Sequence, residues 1–150
     1  MIYLDNGATT FPKPECVYEA MDHFARTAAV NAGRGAYKAA REATAMVKDV
    51  KTALLSLIDA RGQAEVALTP SVTIALNQVI QGQPWKEGMV AYVSPYEHNA
   101  VLRPLHLMKK KYGIKVLELP LADDLSIDLN ATESLFRQTP PDFVAVSAVS

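Results

Sequence analysis

Three stretches of this chain gather the residue types that bind or transform ligands. Thr69-Pro70-Ser71-Val72-Thr73 sets hydroxyls around a proline where an apolar helical repeat begins. The free N–H groups and the dipole of a helix start attract an anion, phosphate above all. The same residues also make good N-caps, so spacing alone leaves capping and phosphate binding both open. Ser94-Pro95-Tyr96-Glu97-His98-Asn99 follows an apolar run and brings titratable groups to the end of a candidate strand. His98 is suited to stacking on a planar cofactor or to moving protons near neutral pH; the plainer reading is an exposed histidine at a helix start. The third stretch is a pair of segments, Asn6-Gly7-Ala8-Thr9-Thr10 and Asn31-Ala32-Gly33-Arg34-Gly35, either plain loops or covers over a ligand. Arg34 would suit a carboxylate through bidentate hydrogen bonding. Gly33-x-Gly35 does not complete a dinucleotide-binding pattern, because no strand precedes it.

Other reactive side chains read as structural. Cys16, within a helical pattern, is expected to be buried and inert, and His23 and His106 to be half-buried on helix surfaces. Lys109-Lys110-Lys111 reads as a solvated helix end. Asp123, Asp124 and Asp128 lack calcium-loop spacing and read as turn residues. No metal site is expected.

The elements that must position these groups follow from periodicity. Ile2–Leu4 is a short strand candidate, Pro14–Ala28 a first helix, and Ala39–Ala60 a long second helix with Ala43, Met46, Val47, Val50, Leu54, Leu57 and Ile58 on one face. Gly62 suits a left-handed C-cap position. Strands are expected at 65–68, 89–93, 114–119 and 143–147, with helices at 72–82, 105–112 and 129–138 between them. Pro104 fits a first helical turn, which leaves Asn99–Leu102 irregular. Strand–helix alternation with apolar strands implies an α/β fold, a mainly parallel sheet flanked by helices.

Composition bounds the partners. The 150 residues carry 15 Lys plus Arg against 16 Asp plus Glu, a net charge of −1, which argues against a nucleic-acid binder built on bulk charge. Hydrophobic residues at 49% and charged residues at 21% exclude global disorder. A single cysteine excludes an internal disulfide framework and a multi-cysteine zinc module, and fits a reducing cytoplasm. Neither a signal peptide nor an apolar run near the ~18 residues of a membrane span is visible.

Taken in order, Tyr3-Leu4-Asp5-Asn6-Gly7-Ala8-Thr9-Thr10, Gly33-Arg34-Gly35-Ala36, Thr73-x-Ala75-Leu76-Asn77 and Glu97-His98-Asn99-x-Val101-Leu102-Arg103-Pro104 resemble the class V aminotransferase family of pyridoxal-phosphate enzymes, most closely its cysteine desulfurase branch. The resemblance runs along essentially the whole chain. It implies the N-terminal part of an aspartate aminotransferase-like large domain, pyridoxal 5'-phosphate (PLP) as cofactor, a homodimer, an amino acid substrate and a sulfur-acceptor protein as possible partner. The implied reaction of the parent turns cysteine into alanine and passes sulfur on as a persulfide. Another class V reaction on an amino acid is the alternative, or a non-catalytic binding module for the isolated chain.

Residue by residue, the resemblance assigns Ser71, Val72 and Thr73 to the loop that holds the cofactor phosphate. His98 becomes the catalytic histidine that stacks on the pyridine ring. Asn6, Gly7, Ala8, Thr9 and Arg34 fall on loops lining the active-site entrance. The chain departs from the family pattern at Pro70-Ser71-Val72-Thr73-Ile74, where Ser-Gly-Ala-Thr-Glu is common, at Gly7, where alanine is usual, and at Tyr37, where histidine is frequent. Family chains run to more than twice this length. Their cofactor-bonding lysine, pyridine-pairing aspartate and sulfur-accepting cysteine would lie beyond Ser150. The expected division is therefore an N-terminal segment, 1–35, and an incomplete PLP-binding domain, 36–150, cut after a strand. Alone it is expected to be inactive and prone to associate through uncovered apolar surface.

Overall fold

A computed structural model describes residues 2–7 and 9–147. The chain divides into two compact units, 1–68 and 69–150.

The first unit holds helices α1 (Glu15–Thr27) and α2 (Lys38–Leu57). α1 buries none of its residues, and α2 buries only Ala40 and Ala43. The expected apolar face of α2 is present but partly open, with Met46, Val50 and Leu54 exposed at successive turns. α2 stops at Leu57 rather than Ala60, because Ile58 leaves helical geometry and Asp59 turns left-handed at φ 51°. Ile2–Leu4 and 65–68 form no strands. Ile2 and Leu4 are almost fully exposed, and the Tyr3 hydroxyl donates to the carbonyls of Asp5 and Thr9, folding the segment into a loop. Cys16 is exposed rather than buried, on a helix that buries nothing, and His23 on the same helix is exposed as well.

The second unit runs α3 (Val72–Gly82), β1 (Val90–Val93), α4 (Asn99–Tyr112), β2 (Lys115–Glu118), α5 (Leu129–Gln138) and β3 (Phe143–Ala145). Its sheet is parallel, in the order β2-β1-β3. β1 is buried along its whole length, as a central strand covered on both faces must be. Side chains alternate across it. Ala91 and Val93 join Ile80, Trp85, Val101, Leu105 and Met108 under α3 and α4, while Val90 and Tyr92 meet Leu135 and Phe136 of α5 on the other face. The connection from β1 to β2 and the one that returns past β1 to β3 run in opposite directions. Right-handed crossovers then require α4 and α5 on opposite faces, as observed.

The largest difference from expectation is the start of α4. The helix opens at Asn99, not Leu105, and Pro104 lies inside it. Pro104 cannot donate to the carbonyl one turn back, which weakens a helix interior. Burial of Ala100, Val101, Pro104, Leu105 and Met108 in one stripe outweighs that loss. α4 ends on Gly113, left-handed at φ 71°, whose N–H donates to the Lys109 carbonyl at 3.0 Å. His106 and the three lysines that follow it are exposed. Asp124 and Asp128 are turn and cap residues, accepting from Ser126 and Ala131. No helix among the described residues is long and apolar enough to cross a membrane.

Candidate functional site

The site grows from two helix starts in the second unit. Ser71, in extended conformation, caps α3: its Oγ accepts from the Ile74 N–H at 3.2 Å, and its carbonyl takes the Ala75 N–H at 3.0 Å. Thr69 Oγ1 donates to the same carbonyl at 2.9 Å. The N–H groups of Val72 and Thr73 and the Thr73 hydroxyl have no partner among the described residues.

His98 does the equivalent work for α4. Its Nδ1 accepts from the Ala100 N–H at 3.0 Å, and its carbonyl accepts from Val101 and Leu102. A nitrogen that accepts is unprotonated, so the neutral ring carries its proton on Nε2. Histidine is an unusual cap. The role holds the imidazole at the carboxyl end of β1 rather than leaving it to swing.

The two starts share one cavity of about 350 Å³, lined by Thr73 and Asn77 of α3 and by His98, Asn99, Ala100, Arg103, Pro104 and Leu107. Such a volume lies in the range of small-molecule sites, ~300–1,000 Å³. Arg103 is its only charged lining residue, and it makes no ion pair among the described residues. Asn77 is fixed within α3, donating to the Thr73 carbonyl at 2.9 Å and accepting from Gln81 at 2.7 Å. Two positive helix ends, a hydroxyl, a guanidinium and an aromatic plate therefore face the same space. That set can take a planar molecule with an anionic group.

Of the residues singled out from sequence, Thr73 and His98 line this cavity together. Ser71 and Val72 do not; Ser71 is engaged in the cap, and the Val72 side chain faces solvent. The entrance candidates belong to the first unit. Asn6 Oδ1 accepts from the Phe11 N–H at 3.3 Å, and the Thr9 N–H donates to Asp5. Gly7 and Arg34 are exposed. Ala8 lies outside the described residues. The Gly33 N–H donates to Thr44 Oγ1 at 3.0 Å and ties the Asn31–Gly35 loop to α2.

Asn77, Asn99 and Arg103 line the cavity as well; the sequence motifs contain them but assign them no role. A signal was available: Asn77 is four residues past Thr73, and Arg103 four past Asn99, so each pair shares a helix face. Among the described residues no three His, Cys, Asp or Glu side chains cluster as a metal site would require.

Comparison with known proteins finds a family model, curated relatives and solved structures similar to this chain. The model of the class-V aminotransferase family matches residues 2–150. A probable cysteine desulfurase of Pyrococcus abyssi is 32% identical over 153 aligned positions, covering 100% of this chain and 37% of its own. One of Vibrio cholerae is 29% identical, covering 92% and 34%. The apo structure of a cysteine desulfurase from Thermococcus onnurineus superposes with a TM-score of 0.87 at 30% identity, over 99% of this chain and 37% of that one. The chain thus spans about a third of the length of the curated relatives it matches.

Proposed function

Since this chain belongs to the class-V aminotransferase family, we propose that it is the N-terminal portion of a PLP-dependent enzyme of the cysteine desulfurase type. The parent would convert cysteine to alanine and release sulfur as an enzyme-bound persulfide, to be passed to an acceptor protein. The carrying observation is that Thr73 and His98, from two different helix starts, line one cavity.

The donor set fits the cofactor. A phosphate needs N–H donors, a hydroxyl and a cation, and Thr73, with its N–H and hydroxyl, and Arg103 offer those groups in the cavity lining without a partner among the described residues. A pyridine ring needs a flat partner, and the His98 imidazole is one. PLP, when bound, supplies an electron sink for charge developing on the substrate. This chain's own residues bind and orient. Thr73 holds the phosphate end, His98 presses the ring and has Nε2 available to carry a proton, and Arg103 keeps the cavity positive. Ser71 and Val72 contribute through the backbone turn. No lysine is among the described residues that line the cavity.

Asn6, Gly7, Ala8, Thr9 and Arg34, in the 1–35 segment, are proposed to line the substrate entrance, with Arg34 meeting the amino acid carboxylate. A homodimer in the cytoplasm is the corresponding assembly. The test is to titrate the full-length gene product with PLP and then assay cysteine for alanine and persulfide sulfur in equal amounts. Turnover of another amino acid with none of cysteine would assign a different class V reaction. Absence of PLP binding would end the reading altogether.

A further inference from the structure

Beside His98 lies a carboxylate that is not part of the cavity lining. Glu97 is half-buried, and both its oxygens are occupied. Oε1 accepts from Ser94 Oγ at 2.6 Å and from the Ser147 N–H at 2.5 Å, and Oε2 accepts from Ser147 Oγ at 2.9 Å. Ser94 is the residue after β1, almost wholly buried, and its N–H donates to the Ala145 carbonyl at the end of β3. Glu97 therefore spans from the loop that leaves β1 to the segment that leaves β3, fifty residues away in sequence. On the other side, the Tyr96 hydroxyl donates to the Leu125 carbonyl at 2.6 Å, in the connection from β2 to α5. The two residues before His98 thus tie its loop to the connections that follow both neighbouring strands.

We propose that Glu97 is a positioning residue: by bridging the ends of β1 and β3 it fixes the backbone entering α4 and so sets the imidazole of His98 against the cavity. The inference rests on the proposed PLP site for its consequence, but not for its geometry. Charge-assisted hydrogen bonds at these lengths are the strong kind, and a loop held at adjacent residues on two sides has little freedom left. The bridge needs an acceptor for Ser94 and the Ser147 N–H and a partner for Ser147 Oγ. A glutamine can meet all three, because its amide oxygen accepts and its NH2 donates to a serine hydroxyl.

The test uses the full-length protein. Amide hydrogen exchange at 99–102 is read without cofactor, and PLP affinity by absorbance titration. Loss of the bridge in Glu97→Ala is expected to speed exchange at Ala100 by about tenfold and to weaken PLP binding by about tenfold, with β1 and α5 protection unchanged. Glu97→Gln should stay within about threefold of wild type in both. Unaltered Ala100 exchange in Glu97→Ala overturns the proposal, as does protection lost equally across β1, β3 and α5, which would make the role merely structural. A glutamine variant as damaged as alanine overturns it too, because charge and not the bridge would then be acting. If Glu97→Ala does not fold, Glu97→Met takes its place, filling the same volume while accepting from neither Ser94 nor Ser147, with faster Ala100 exchange expected and an unchanged rate refuting. Exchange is measured without cofactor, so a protein that binds no PLP sinks the functional reading and leaves the bridge to be judged by itself.

Discussion

His98 carries two roles on one side chain, and they can be separated. Its Nδ1 caps α4 through the Ala100 N–H at 3.0 Å, and its ring lines the cavity. Replacing a capping side chain by one that cannot accept typically costs ~1 kcal/mol, about a fivefold change in local opening. A stacked aromatic contact contributes ~0.5–1.5 kcal/mol, or about two- to twelvefold in affinity. Asparagine is among the best N-caps but has no ring; phenylalanine has a ring but cannot cap. In the full-length protein, His98→Asn should keep Ala100 exchange near wild type while PLP affinity falls by about fivefold. His98→Phe should do the reverse, with exchange about fivefold faster and more of the affinity kept. His98→Ala should lose both. The assays are site-resolved amide exchange and PLP titration. Wild-type affinity in His98→Asn would refute the stacking role, and wild-type protection in His98→Phe would refute the cap.

Four further outcomes are expected. Thr73→Val removes a hydroxyl that no described residue uses, so PLP affinity should fall by about tenfold; helix content and urea midpoint should hold, since Ser71 caps α3, and a shifted midpoint would contradict that separation. Arg103→Gln should weaken PLP binding more at low salt than at high salt, because this side chain is exposed and its field is screened; a salt-independent loss would count against an electrostatic role. Gly35 has φ 120°, and an added Cβ would lie 2.6 Å from Tyr37 Cε1, whereas one at Gly62 meets nothing. Gly35→Ala should therefore destabilise by ~1–3 kcal/mol and Gly62→Ala by less, as read by urea unfolding; the opposite ranking would show that the Gly35 turn is not held as described. The Asp124 carboxyl is held below its ordinary 3.8 by the hydroxyl and N–H of Ser126, so its contribution to the turn is present above that value and lost as pH falls through the lower folded-state value. The Ser126 amide resonance should move on acidification, and an unmoved one down to about pH 2 would refute the contact.

Helices were legible in the sequence because their signal is internal. The α5 bounds, Leu129–Gln138, follow from its own period, and Asp128 caps it as a turn aspartate can. A strand is defined by its neighbours, and no local pattern supplies those. Ile2–Leu4 and 65–68 are largely apolar runs like β1 but pair with no strand among the described residues, and are irregular there. Pro104 misled for a related reason. The local rule puts proline in a first turn, but the buried stripe of α4 carries the helix through it. In the site, Thr73 and His98 were visible because each stands in a short polar stretch with a proline, next to an apolar run. Asn77 and Arg103 stand in the quoted motifs without a role, because a polar residue one turn inside a surface helix looks the same whether or not another helix packs beside it. Glu97 was noticed only as a titratable neighbour of His98. Its partner Ser147 stands fifty residues away and is brought near by the parallel return of β3, which no spacing in the sequence encodes.

The position of the site follows from this topology. α3 leads into β1 and α4 leads out of it, and both pack on the same face of that strand. A helix that feeds a strand and a helix that leaves it, laid side by side, must begin at the same edge of the sheet. Their positive ends then add instead of cancelling, at the carboxyl end of the central strand. A carboxylate left free there would oppose an anionic ligand. Glu97 is the acidic side chain nearest in sequence to His98, and its oxygens are taken by Ser94 and Ser147, outside the cavity lining. The bridge that steadies the histidine thus also holds the carboxylate away from the cavity lining, where Arg103 is the one formal charge.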